Sequence, residues 1–144
     1  MRHAKHHLPD DLTAPARSRR LIEGWTRNHP RRHEIVLAVS ELVANAVTHG
    51  SRHSPGTGVT LSIAKDDRCL RVCVGQRGPP FQPEFAGPIS EPRGLTIVDR
   101  GVDRWGIDEH DDIVEVWFEV DDPRAAGPAA GNPAAGDPAT GLLR

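Results

Sequence analysis

Apolar residues recur with a helical period in the first third of the chain and with a period of two beyond it. Residues 1–12 are polar and rich in histidine. They read as a flexible lead, with an edge strand as the alternative. From Thr13 onward Ala14, Ala16, Leu21, Ile22 and Trp25 form an apolar stripe, with Arg17, Arg20 and Arg27 outside it. This spacing predicts a helix that ends near Asn28, before Pro30. Thr13 is placed to cap it, and Pro15 is tolerated in a first turn. A second helix is predicted from Pro30 to His49, with Gly50 as its stop. At about 100° per residue, Ile35, Val39, Leu42, Val43 and Ala46 share the face that should pack on a sheet.

Strict alternation then takes over. Val59, Leu61 and Ile63 alternate with Thr60 and Ser62, and Leu70, Val72 and Val74 alternate with Arg71 and Cys73. These are two strands, with Lys65 to Arg68 as the hairpin turn. Residues 75–93 contain Pro79, Pro80, Pro83, Pro88 and Pro92 and are read as holding neither a regular helix nor a central strand. Loops of this length in a small domain often serve as lids. A short helix begins near Gly94 with Leu95, Val98 and Val102 on one side. A final strand pair is predicted over 103–108 and 113–120, with the turn at 109–112. Beyond Asp121 the chain is almost all Ala, Gly, Pro, Asp and Thr, which reads as a disordered tail over 121–144. Hairpin-linked strands with helices grouped elsewhere predict an α+β, two-layer α/β sandwich, its helices on one face of a mixed, mostly antiparallel sheet.

Composition narrows the function classes. The 144 residues suit one domain, here 13–120, and a net charge of −2 gives no strong field for nucleic acid or membrane. The two cysteines, Cys69 and Cys73, lie four apart on one strand. Their Cα atoms should be roughly 13 Å apart, too far for a disulfide, so reduced thiols are expected. No apolar leader precedes the first helix, and no apolar run approaches the ~20 residues of a membrane span. A cytoplasmic protein is the expectation.

The chemistry concentrates on the second helix. Glu41, Asn45 and His49 are spaced four apart, so each step rotates about 40° past a full turn and the three share a slanted stripe. A carboxylate, an amide and an imidazole on one side suit phosphoryl transfer. The Asn45 carbonyl can bind Mg²⁺, Glu41 can orient or deprotonate a hydroxyl, and His49 can donate near phosphate. Alone, the spacing is more often that of a solvated helix face. A second feature, Arg93-Gly94-Leu95-Thr96, opens the third helix, where backbone N–H groups and the helix dipole favour an anion.

In this order the motifs resemble the GHKL (histidine-kinase-like) ATPase superfamily, in particular its stand-alone anti-sigma-factor serine/threonine kinases. The run Glu41-Leu42-Val43-Ala44-Asn45-Ala46-Val47-Thr48-His49-Gly50 looks like the family's N box, and Arg93 to Val98 like the second half of its second glycine box. Asp103-Arg104-Trp105-Gly106 is similar to the small stand-alone members. The resemblance covers 13–120 and implies a Bergerat-type fold that binds ATP and Mg²⁺. It makes Glu41 the catalytic base, Asn45 the Mg²⁺ ligand, and residues 77–92 a lid over ATP. His49, Gln76, Gly78, Arg93, Gly94, Leu95 and Thr96 would contact the nucleotide. The implied partners are a sigma factor and an anti-sigma antagonist phosphorylated on Ser or Thr. A homodimer is compatible with the resemblance, since related small kinases often pair.

The chain departs from the family pattern at nucleotide-contacting positions. The first glycine box of the family begins with an aspartate that accepts from the adenine amino group; here Gln76-Arg77-Gly78-Pro79-Pro80 stands in its place. A neutral hydrogen bond contributes ~0.5–1.5 kcal/mol against ~1.5–3 for a charged one, so binding should weaken severalfold. Pro80 replaces a glycine, and Glu91-Pro92 precedes Arg93-Gly94 where the family usually has glycine. The alternative function is therefore a partner-binding regulator on the same fold that makes no use of ATP.

Overall fold

The computed structural model describes the backbone of residues 1–53, 58–77 and 93–124, and the side chains of these apart from 49–53 and 93–95. Its elements are β1 (Arg2–Leu8), α1 (Ala14–Trp25), α2 (Arg32–His53), β2 (Val59–Lys65), β3 (Cys69–Arg77), α3 (Arg93–Gly101), β4 (Arg104–His110) and β5 (Ile113–Asp121). The strands form one five-stranded sheet in the order β1-β2-β3-β5-β4, antiparallel at every pairing. The sandwich is thus the predicted α+β one, with no parallel pair among the described strands.

The core lies on one face of this sheet. Ile63, Val72 and Phe118 stand in register across β2, β3 and β5, with Leu61, Val74 and Val116 in the next layer. Against them pack Ala14 and Ile22 of α1, Val98 of α3, and Ile35, Ala38, Val39, Leu42, Val43, Ala46 and Val47 of α2. All five residues predicted for the buried face of α2 are in this cluster. Burying such side chains contributes roughly 1.5–3 kcal/mol each, which makes α2 the main strut of the sandwich.

Several boundaries differ from expectation, each for a local reason. Over Arg2–Leu8 the expected lead is the edge strand, its whole length in register with β2. Leu8 is buried opposite Val59, and that contact favours the ordered form. Helix α1 stops at Trp25, short of Asn28, because Thr26 turns back: its hydroxyl donates to Ile22 O at 2.9 Å and its N–H to Glu23 O at 3.3 Å. Thr13 holds the N-cap position without a side-chain cap; its own N–H donates to Asp11 Oδ1 at 2.8 Å. Helix α2 starts two residues later than predicted and runs through Gly50 to His53. A glycine ends a helix by adopting positive φ; inside one it costs only ~0.5–1 kcal/mol, less than the buried face of α2 returns. Strand β3 continues to Arg77, so 75–77 are central strand rather than loop, paired with β2 through Gln76 and with β5 throughout. The last hairpin turns on Asp111 and Asp112 alone, with Asp111 at φ 55, a left-handed conformation that aspartate tolerates. The expected lid from residue 78 to 92 and the tail from residue 125 onward lie outside the described residues.

Candidate functional site

Helix α2 packs on β2 and β3 and is flanked by α1 and α3. Its inward face is the apolar one, so the Glu41 stripe falls beside it. Glu41 and Asn45 are both half-buried, next to buried Leu42 and Ala46. Neither has a hydrogen-bond or ion-pair partner among the described residues. A half-buried carboxylate and amide with no protein partner are open to water and to a ligand alike. Thr48, one residue short of His49, spends its hydroxyl on Ala44 O at 2.9 Å. The side chains of His49, Arg93, Gly94 and Leu95 are outside the described set, and so is Gly78. Thr96 is exposed on the first turn and a half of α3.

Gln76 is the penultimate residue of β3, between Val59 of β2 and Val114 of β5. Alternation places it on the core face of the sheet, one step beyond Val74. Its Oε1 is buried and has no hydrogen-bond partner among the described residues. Leaving a buried acceptor unpaired costs about 1–3 kcal/mol, a cost that a ligand donor removes. An exocyclic amino group of a nucleobase is such a donor, so the residues present fit the group that the motif implies.

The start of α3 depends on what holds its other end. Arg31 Nη1 donates to both carboxylate oxygens of Asp103, at 2.8 and 2.9 Å, and Nη2 donates to Gly101 O at 2.8 Å. Asp103 Oδ2 also accepts the Asp121 N–H at 2.7 Å. Trp105 Nε1 donates to Asp99 Oδ1 at 2.8 Å, and Gly101 lies close on Glu34, where a Cβ would meet the Glu34 Cβ at 3.4 Å. The run Asp103-Arg104-Trp105-Gly106 thereby acquires a physical reading. Asp103 clamps α3 to the base of α2. Arg104 donates to Glu119 Oε1 at 2.8 Å and pairs with Asp121. Trp105 ties β4 to α3. Gly106 leaves room for Trp117, whose Cζ2 would lie 2.7 Å from a Cβ there. Sequence reasoning singled out this run but missed Arg31, whose partner is 72 residues away.

The cysteines carry no site. Both are free, and burial first, with nearby carboxylates adding, pushes each thiol up to about 12. They are therefore protonated and poor nucleophiles at neutral pH. Among the described residues no group of three or more His, Cys, Asp or Glu could hold a metal ion. No described helix is long and apolar enough to cross a membrane.

A five-stranded antiparallel sheet under α2, with an acid and an amide one turn apart on that helix, makes the α+β sandwich of the GHKL class that the motifs imply. The chain belongs to the histidine kinase-like ATPase domain family, whose match spans residues 4–120 and so takes in β1 as well. No curated protein matches the sequence. Among solved structures it is similar to the RsbU and RsbW domains of Rv1364c from Mycobacterium tuberculosis, with 21% identity and a TM-score of 0.65 over 83% of this chain. This chain spans about a third of that protein, 32% of its length. It is also similar to the SiaB–SiaC complex from Pseudomonas aeruginosa, with 11% identity and a TM-score of 0.55 over 82% of this chain and 89% of that one. The catalytic domain of the histidine kinase ThkA matches with 18% identity and a TM-score of 0.52, over 87% of this chain and 99% of that one. At these identities the likeness is one of fold.

Proposed function

We propose that this chain is an ATP-dependent serine/threonine kinase of the anti-sigma regulatory type, acting on a small antagonist protein and also binding a sigma factor. The observation that carries it is the pair Glu41 and Asn45, half-buried one turn apart on α2 and without a partner among the described residues. Bound ATP supplies the γ-phosphoryl group, and Mg²⁺ neutralises the charge on its phosphates. Asn45 offers the protein oxygen for the metal. Glu41 accepts the proton of the incoming hydroxyl. Gln76 holds the base, and the N–H groups at the start of α3 face the phosphates, with Arg93, Gly94, Leu95 and Thr96 as that turn. His49 and Gly78 belong to the same site by motif. The solved pairing of SiaB with SiaC supports a partner protein docking on this fold.

Phosphate release from Mg·ATP, with water in place of the antagonist hydroxyl, tests the reading. Glu41→Gln should lower turnover by about 10²–10⁴-fold while leaving ATP affinity within severalfold of native. Turnover unchanged by Glu41→Gln would remove Glu41 from the chemistry. The second reading, a regulator that has given up ATP chemistry, is favoured by Gln76, Pro80, Glu91 and Pro92 at nucleotide positions. It predicts no turnover in either protein.

A further inference from the structure

The base-reading residue of this chain is an amide, and an amide presents two faces. Gln76 sits between Val59 and Val114, both buried and both apolar, so neither cross-strand neighbour offers a side-chain group to hold its orientation. Its buried Oε1 has no hydrogen-bond partner among the described residues, and no hydrogen bond there holds its amide nitrogen. A half-turn about the last torsion therefore exchanges carbonyl for NH₂ without breaking a hydrogen bond to any described residue. A carboxylate at this position could only accept.

Purines differ in the edge they offer. Adenine carries an amino donor beside the N1 acceptor. Guanine carries the O6 acceptor beside an N1–H donor, and hypoxanthine offers the same pair. A carboxylate matches the adenine amino group and sets oxygen against oxygen at O6, which leaves a buried acceptor facing another. Glutamine answers either edge with one donor and one acceptor, by turning. We infer that this site binds guanine and hypoxanthine nucleoside triphosphates as well as ATP, and that Gln76 is the residue that relaxes the choice. This inference rests on the nucleotide-binding reading above.

Calorimetric titration of the full chain with Mg·ATP, Mg·GTP and Mg·ITP, beside Gln76→Asp, tests it. Gln76→Glu serves in its place if the shorter carboxylate does not fold. For the native chain the three dissociation constants should agree within about tenfold, and the carboxylate variant should disfavour GTP relative to ATP by about a further hundredfold. A native chain that already prefers ATP by a hundredfold or more overturns the inference and leaves the nucleotide reading standing. An unchanged ATP-to-GTP ratio in the variant removes Gln76 from base selection. Binding of ATP by the variant alone overturns the inference, and binding of no triphosphate by either protein overturns it together with the reading beneath it.

Discussion

His29 shows how much a single side chain can carry outside the nucleotide site. It lies in the connection between α1 and α2, only 6% exposed, and its Nδ1 accepts the Arg31 N–H at 3.0 Å. The proton of the neutral ring is therefore on Nε2, which is buried and has no partner. Burial holds the pKa below its ordinary 6.5; Asp122 opposes the shift, and Lys65, Arg124 and Arg31 reinforce it. The folded chain thus takes up this proton less readily than the unfolded one. The penalty is absent well above 6.5 and grows as pH falls through that value toward the depressed folded pKa. The melting temperature should hold steady above about pH 7.5 and fall steadily toward about pH 5.5. His29→Asn, which keeps an acceptor for the Arg31 N–H, should flatten the decline. A native melting temperature flat across that range would contradict this account. Nothing in the local pattern marks His29, since the groups around it include Lys65, Asp122 and Arg124, far away in the sequence. The common stripe of Glu41 and Asn45 was legible because their spacing lies within one helix.

At the scale of elements, α3 is the piece whose position decides the site. Its first turn is proposed to face phosphate, but its described anchors are at the far end: Arg31 on Asp103 and Gly101 O, Trp105 on Asp99, and Val98 and Val102 in the core. Arg31 and Asp103 are each about a third exposed, with side-chain exposures of 29% and 30%. Screening therefore brings the charged hydrogen bonds down to roughly 1 kcal/mol of stability. The local effect should exceed the global one. In Arg31→Ala the α3 amides should exchange with solvent about fivefold faster, the factor that ~1 kcal/mol allows, while those of β3 change less. Equal acceleration in both would mean that Arg31 supports the whole fold rather than α3. The elements themselves were legible wherever periodicity was strong, as for the buried faces of α2, β2, β3 and β5. Their ends were not. Gly50 as a helix stop and an irregular stretch beginning already at residue 75 were local arguments, and packing worth more than ~1 kcal/mol overrode both.

At the scale of the whole molecule, the sandwich keeps its core on one face of the sheet and a polar lattice on the other. There Arg71 donates to Glu119 at 2.9 Å and Arg104 joins Glu119 to Asp121, linking β3, β5 and β4. Trp117 is buried on this side, with the Arg71 guanidinium 4.3 Å over its ring. The proposed nucleotide site is on the side with α2 and α3, and the family match to residues 4–120 takes in all five strands and three helices. This architecture is proposed to bind nucleotide still, although its glycine boxes depart from the family pattern. Titration calorimetry with ATP, in the presence and absence of Mg²⁺, on the native chain and on Asn45→Ala tests this most directly. The account predicts saturable native binding with a dissociation constant in the micromolar range, about −8 kcal/mol at 1 μM, that requires Mg²⁺ and weakens at least about tenfold in Asn45→Ala. No saturable heat from the native chain up to millimolar Mg·ATP, or binding indifferent to both Mg²⁺ and Asn45, would contradict it.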